Sequence, residues 1–283
     1  MRYTGEGDFA VALFLTEEDV RSVLTMDEAL SAIETTFHQQ GEGLLENVPR
    51  RRLRSKDTIF NVMFSANQAE KLMGAKLYTV SGGGARFVVI LFESESGRLK
   101  AVVEADALGQ IRTGAASGVA TRHLARTDAS RVVIFGAGWQ ATSQLRAVAA
   151  VRRLTRIDVI GRNPERRDAF CETMTQELGV PVVGASDAET ATRAAHIIIT
   201  ATTAKEPVLR GAWLSPGTHL NLMGSNHLSR REVDEDVFRR ASVTVVDERA
   251  TAEIESGDMA PAIASGILSW DDVLELGEIV AGR

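Results

Sequence analysis

The residues Gly136-Ala137-Gly138-Trp139-Gln140-Ala141 carry the spacing GxGxxA. They follow an apolar run, RVVIF at 131–135, and open a helix-like run at 139–151. In that setting each residue type has a physical task. Gly136 permits a tight turn, and Gly138 leaves room for a pyrophosphate on the free N–H groups of a helix start. Ala141 lets the helix pack closely on the strand. The chemistry implied is dinucleotide binding; the alternative is a glycine turn without a ligand. A second strand-like run, RIDVIGR at 156–162, ends about 20 residues further on, as such a unit requires. NAD sites place an acid at that strand tip to accept from the ribose 2′-OH. This chain has Gly161-Arg162-Asn163-Pro164 there, and Asp158 lies inside the strand. An arginine at the tip suits a 2′-phosphate, so NADP is expected ahead of NAD. A solvated surface arginine is the other reading of Arg162. The run HIIITATT at 196–203 brings Thr200, Ala201 and Thr202 to the carboxyl edge of the sheet, where a cofactor lies. Met223 and Gly224 end a further strand candidate at 218–224 and join the same set.

Two cations stand in unusual company. Lys76 lies in an apolar run, GAKLYTV, where alternation would also let it face solvent. Arg112 lies among Ile111, Thr113, Gly114 and Ala115. Both suit a carboxylate, the arginine as a two-pronged donor. Arg50, Arg51, Arg52, Arg54 and Lys56 form the one basic cluster. It lacks interleaved aromatics and sits in a chain of formal charge −6, so nucleic acid is not expected as a partner. The five histidines form no metal-spaced pair with a nearby acid, and no metal site is expected. They read as structural, with His227 the one to watch. The single Cys171 leaves no disulfide framework and no cysteine-built zinc site, and fits a reducing, cytoplasmic setting. No GxSxG or Cys–His arrangement supports acyl transfer.

These residues need two kinds of scaffold. With 44% hydrophobic and 25% charged residues in 283, the chain can bury a large core, and its length suggests two domains. The start MRYTGEGDFAVALF does not read as a secretory signal, and no apolar stretch is long enough to span a membrane. Thr16 caps a helix with acids in its first turn. Thr25 opens another, with Glu28 completing a capping box. Between 44 and 104, TIFNVMF, AKLYTV, RFVVILFE and RLKAVVE read as strands of a mostly antiparallel sheet. The run 109–125 reads as a helix whose Gly109, Gly114 and Gly118 allow close approach. From 131 onward strands alternate with helices, which means a mostly parallel sheet covered on both faces. The expected fold is therefore α/β. A Rossmann-type nucleotide-binding domain at 126–283 follows an α+β domain at 1–125, to which the C-terminal end of the chain can return.

The ordered blocks VPR (48–50), GAKLYT (74–79), RTGAAS (112–117), GAGWQA (136–141), ITATT (199–203), LNLMGSN (220–226) and ESGD (255–258) together resemble the ornithine cyclodeaminase/mu-crystallin family. That family includes archaeal-type alanine dehydrogenases and ketimine reductases. The resemblance runs from about Leu15 to the end of the chain. It implies that the first domain binds substrate and forms a homodimer. It also implies that Lys76, Arg112 and Arg50 hold the substrate carboxylate, with Arg52 the alternative to Arg50. Thr113 is implied to border the cofactor, and Asn226 to orient the substrate nitrogen or a water. Three departures bear on the reaction. Ser225-Asn226 stands where cyclodeaminases and some alanine dehydrogenases carry an acid. TIFNVMF lacks the glutamate that meets the far amine of ornithine. The family's segment beyond GEIVAG does not follow here. The expected activity is NAD(P)H-dependent reduction of the C–N bond of a small imino acid. A cyclic ketimine such as pyrroline-2-carboxylate is the leading substrate, and amino-acid dehydrogenation is the same chemistry reversed. The alternatives are ornithine cyclodeamination with bound NAD and a non-catalytic holder of NADPH and a small ligand.

Overall fold

Thr16 and Thr25 begin helices, and both capping boxes form. The computed structural model describes residues 11–283. In it Thr16 Oγ1 accepts from Asp19 N at 3.2 Å, and Thr25 Oγ1 accepts from Glu28 N at 3.2 Å. In each box the acid accepts in return from the threonine's own N–H. The chain divides into two compact units.

The first unit takes the described residues up to Leu24 together with Leu44–Gly109. Strand β1 (Leu13–Leu15) leads into helix α1 (Glu17–Val23). Five further strands follow: β2 (Leu45–Arg54), β3 (Thr58–Asn67), β4 (Leu72–Ser81), β5 (Gly84–Glu93) and β6 (Leu99–Glu104). They form one sheet in the order β1-β6-β5-β4-β3-β2. All pairings are antiparallel except β1 with β6. Edge strand β2 carries an irregularity between Val48 and Arg51, where Pro49 has no N–H to give the ladder. Alternation sorts the sheet's side chains onto two faces. On one, Val89, Leu91, Ala101 and Val103 pack with Val20 and Ala107. On the opposite face Leu53, Phe60, Phe64 and Met73 stand exposed.

The second unit takes Thr25–Gly43 and Gln110–Arg283. Helix α2 (Met26–Gly41) belongs to it, as does all but the first turn of helix α3 (Asp106–Leu124). Then come β7 (Arg131–Phe135), α4 (Trp139–Val151), β8 (Arg156–Ile160), α5 (Pro164–Leu178), β9 (Val182–Gly184), α6 (Ala188–Arg193), β10 (Ile197–Thr200) and β11 (His219–Leu222). The five strands form an all-parallel sheet in the order β11-β10-β7-β8-β9. This is the doubly wound arrangement, with its switch point between β7 and β10. Val132, Ile134, Ile157, Val159, Ile197 and Ile199 fill one face of the sheet with Leu145, Val148 and Met174 of the covering helices. Val133, Phe135 and Ile198 fill the other. The chain closes with α7 (Glu235–Arg240), β12 (Thr244–Val246), α8 (Arg249–Glu255), α9 (Met259–Ala264), β13 (Val273–Glu275) and α10 (Leu276–Val280); β12 and β13 pair in parallel.

The compact units do not divide at 125/126, where the polar run ARTDAS suggested a boundary. Helix α3 is bound to α4 instead. A Cβ on Gly114 would lie 2.4 Å from Ser143 O, and one on Gly118 would lie 3.1 Å from Ala147 Cβ. Residues 25–43 go with the second unit because Gly41 and Gly277 pack backbone to backbone; a Cβ on Gly41 would lie 2.2 Å from Gly277 O. Gly109 has open space around its Cβ position, so it serves no close approach.

Candidate functional site

The glycine loop lies at the switch point of the parallel sheet. Phe135 and Thr200 are register partners, so β7 and β10 end level. Ala201 N donates to Phe135 O at 2.8 Å, and Gly136 N donates to Ile160 O at 2.8 Å. Gly136 adopts φ +110°, and a Cβ there would lie 2.4 Å from Ala201 O. Only glycine satisfies both conditions. Gly138 is the N-cap of α4 and brings no side chain to the first-turn N–H groups. The nearest heavy atom to a Cβ on Gly138 is Arg166 Nη2, at 4.0 Å. A helix start with bare donors, space above it and a guanidinium alongside fits a pyrophosphate. Ala141 is wholly buried in the core, Gln140 is half-buried and Trp139 stays 45% exposed at the mouth of the loop.

At the tip of β8 no acid is available for a ribose. Asp158 is 7% exposed and ion-pairs with Arg156 at 2.8 Å. Arg162 is exposed. Asn163 Oδ1 accepts from Arg166 N at 2.8 Å, so its side chain caps α5. Arg166 was not among the residues expected to meet a cofactor. Its signal was the spacing of Arg162 and Arg166 across GRNPER, which returns a second guanidinium toward the glycines.

Thr200 does not face the crevice. It is fully buried, and its hydroxyl donates to Glu232 Oε2 at 2.8 Å. The side chain on that side of β10 enters the core, so only the backbone of Thr200 is left to meet a cofactor at the strand end. Thr202 and Gly224 stand at the strand ends, and Met223 N donates to Thr200 O at 3.1 Å. Glu232 was missed because it sits in the charged run SRREVDED, which reads as a solvated face.

Arg112 and Thr113 ride on α3 beside the nucleotide loop. Gln110 Nε2 donates to Trp139 O, and the buried Gln144 donates to Thr113 O at 3.3 Å. With Gly114 seated on Ser143, these bonds fix the Arg112 segment against the first turns of α4.

In the first unit the sheet gathers a cationic pair. Lys76 Nζ lies 5.6 Å from the Tyr78 ring centroid and 5.9 Å from that of Phe87. Arg50 Cζ lies 5.6 Å from the same Tyr78 ring. Tyr78 and Phe87 stack with centroids 4.7 Å apart. The β2 irregularity places Arg50, half-buried, where the ring receives it, while Arg51 is exposed. Arg52, also half-buried, pairs in register with the buried Asn61, itself the register partner of Tyr78, so both arginines lie near the ring. Cation–π attraction holds each cation on the ring, and a guanidinium and an ammonium charge gathered there make an environment suited to an anion. Met63, not an acid, is the register partner of Lys76. Tyr78 was visible in GAKLYT, yet nothing in its spacing marked it as the platform.

Asn226 is exposed beyond β11, and Ser225 Oγ donates to Arg230 O at 2.8 Å. Each histidine has a local partner: Glu42 for His38, Glu34 for His123, Ser130 for His196, Asn221 for His219 and Ser229 for His227. Burial pushes His219 down to about 4, so it is neutral. Among the described residues no group of three or more His, Cys, Asp or Glu could hold a metal ion, and no helix is long and apolar enough to cross a membrane.

Comparison with known proteins decides the family. The model of the ornithine cyclodeaminase/mu-crystallin family matches residues 10–283. The chain belongs to that family. A Δ1-pyrroline-2-carboxylate reductase of Bacillus cereus is 32% identical over 230 residues, 78% of this chain and 70% of that protein. Across such curated relatives the match spans from 59% to 84% of their length. Among solved structures, Thermococcus litoralis Δ1-pyrroline-2-carboxylate reductase, in complex with NADH and L-proline, superposes with a TM-score of 0.90. The two are 31% identical, covering 95% of this chain and 86% of that one. An archaeal alanine dehydrogenase dimer with bound NAD gives a TM-score of 0.88 at 27% identity, covering 96% and 85% of the two chains.

Proposed function

We propose that the chain is a nicotinamide-dependent imine reductase acting on a small cyclic imino acid of the pyrroline-2-carboxylate kind. The observation that carries the substrate class is the pairing of Lys76 and Arg50 on Tyr78 with Met63 in register opposite the lysine. The cations suit a carboxylate, and the methionine offers an apolar neighbour where a distal ammonium would need an acid. The related reductases act on the same class of compound.

The open N-terminus of α4, the space over Gly138 and the Gly136 turn fit a dinucleotide. Gly136–Ala141, Arg166, Thr202 and Gly224 would hold it, with Thr113 beside them. When bound, the nicotinamide supplies or receives the hydride. The chain supplies position and charge. Arg50 and Lys76 orient the carboxylate and so fix the α-carbon, and Arg112 on α3 is a further candidate for a carboxylate contact. Fixing the reacting carbon in this way contributes much of the rate of such a step. Lys76 Nζ also carries a proton that the nitrogen of the reduced imine can receive. Asn226 orients that nitrogen or its water.

Arg162 at the β8 tip, with Asp158 committed to Arg156, favours NADP over NAD. The pyrroline-2-carboxylate reductase and alanine dehydrogenase structures hold NADH and NAD, so the two cofactors are compared directly in the test. The exposed apolar face of Leu53, Phe60, Phe64 and Met73 suits a second copy of this chain, and a homodimer follows. The test mixes the protein with NADPH or NADH and a panel of cyclic ketimines, and with α-keto acids plus amines. Cofactor consumption with a cyclic ketimine supports the proposal. Ammonia release from ornithine without net cofactor change would assign a cyclodeaminase, and tight NADPH binding without turnover would assign a ligand holder.

A further inference from the structure

Glu232 is fully buried, yet its carboxylate reaches three donors at two strand ends. Oε2 accepts from Thr200 Oγ1 and from Gly224 N, each at 2.8 Å, and Oε1 accepts from Thr202 N at 2.6 Å. Thr200 ends β10, Thr202 lies two residues beyond it, and Gly224 follows β11, the neighbouring parallel strand. Gly224 has no room for a side chain, since a Cβ there would lie 2.4 Å from Glu232 Oε2. The backbone of Glu232 is itself pinned. Its N–H and that of Val233 donate to Asp258 Oδ1 at 2.6 and 3.0 Å, while its carbonyl accepts from Val208 N and Leu209 N.

A purely structural tie would not require a charge. Among the described residues no lysine or arginine ion-pairs with Glu232, and a buried carboxylate without a cation is costly to keep. Two features explain its presence. Only a carboxylate accepts at both of its ends; a glutamine would turn an N–H₂ toward one of these donors. The strands it ties also belong to the second half of the doubly wound sheet, whose carboxyl edge receives the nicotinamide half of a dinucleotide. The oxidised ring is cationic and the reduced ring is neutral, so a nearby buried anion stabilises one over the other.

We infer that Glu232 is a positioning residue for the nicotinamide end of the site, and that its charge biases the site toward the oxidised cofactor. This rests on the nicotinamide-dependent reading above. The experiment measures dissociation constants of NADP⁺, NADPH, NAD⁺ and NADH for wild type, Glu232→Gln and Thr200→Val by calorimetry. Glu232→Gln weakens the oxidised form about tenfold more than the reduced form, a ratio equivalent to about 1.4 kcal/mol. Thr200→Val removes a donor that screens the carboxylate and moves the ratio the other way, by about threefold; it keeps the inference testable if the glutamine variant does not fold. Equal weakening of both forms, or an unchanged ratio in Thr200→Val, overturns the inference while leaving the nicotinamide reading intact. A wild type that binds neither form overturns both.

Discussion

Replacing Gly114 by alanine tests how the Arg112 helix is held. The new Cβ would lie 2.4 Å from Ser143 O and 2.6 Å from Ser143 C, both backbone atoms of α4. Neither can swing aside, so α3 and α4 must separate by roughly an ångström to reach ordinary contact distance. Overpacking of this kind costs about 1–3 kcal/mol, and the backbone collision places Gly114→Ala near the upper end. Alanine returns about 1 kcal/mol through helix propensity. The net loss is about 2 kcal/mol, or a Tm lowered by about 4–8 °C for a chain of this size. Gly109→Ala is the control. It lies in the same helix, has nothing within 4 Å of the added Cβ, and lacks a positive φ. It gains propensity without a clash and raises Tm by about 1–4 °C. Calorimetric melting of both variants reads the difference. Moving Arg112 by an ångström also lowers kcat/KM for the imine by about 10–100-fold in Gly114→Ala. A Gly114→Ala protein as stable as Gly109→Ala, with unchanged kcat/KM, would refute the packing argument.

Asp258 gives the pH prediction. Burial raises its carboxyl from 3.8 to about 6, against the two N–H groups that favour the ionised form. The folded state therefore holds the proton more tightly than the unfolded chain. This stabilisation is complete below about pH 4 and is lost as pH rises through about 6, and the shift is worth about 3 kcal/mol. Asp258→Asn keeps an acceptor oxygen, so denaturant titration should find it more stable than wild type at pH 8, with the advantage gone at pH 4; an advantage independent of pH would contradict the assignment. Phe64→Asp puts a charge on the apolar sheet face and should convert a dimer to a monomer by light scattering; an unchanged mass places the interface elsewhere. Arg162→Ala should weaken NADPH by about 10–100-fold, the worth of a charge-assisted hydrogen bond, and leave NADH within about twofold. Equal loss for both cofactors would remove Arg162 from the 2′-phosphate.

The glycine loop and the strand–helix alternation were legible because local rules fix them. Gly136 needs a positive φ, and the threonine capping boxes are written within four residues. Strands β3 to β6 of the first unit were legible from their β-branched and aromatic runs, while the arginine-rich β2 read as a basic cluster. What escaped depends on contacts distant in sequence. Glu232 sits in a charged run that reads as solvent-facing, and only the tertiary structure tucks it under Thr200 and Gly224. Thr200 lies on a strand buried on both faces, where composition cannot say which way a hydroxyl turns. The β2 irregularity between Val48 and Arg51, which resets the faces of the adjacent arginines, is revealed by pairing alone. The association of 25–43 with the C-terminal residues rests on Gly41 against Gly277, two glycines 236 positions apart in numbering. The three-residue strand β1 is too short to show a period.

The proposed reductase needs both the cations on Tyr78 and the dinucleotide loop Gly136–Ala141. Steady-state reduction of pyrroline-2-carboxylate, followed by loss of the reduced cofactor in wild type, Lys76→Met and Gly138→Val, tests this requirement most directly. Wild type should turn over. Lys76→Met should lose about a hundredfold or more in kcat/KM while still binding cofactor, and Gly138→Val should lose cofactor binding itself. Wild-type protein that binds cofactor but reduces no cyclic ketimine, or a Lys76→Met variant as active as wild type, would contradict it.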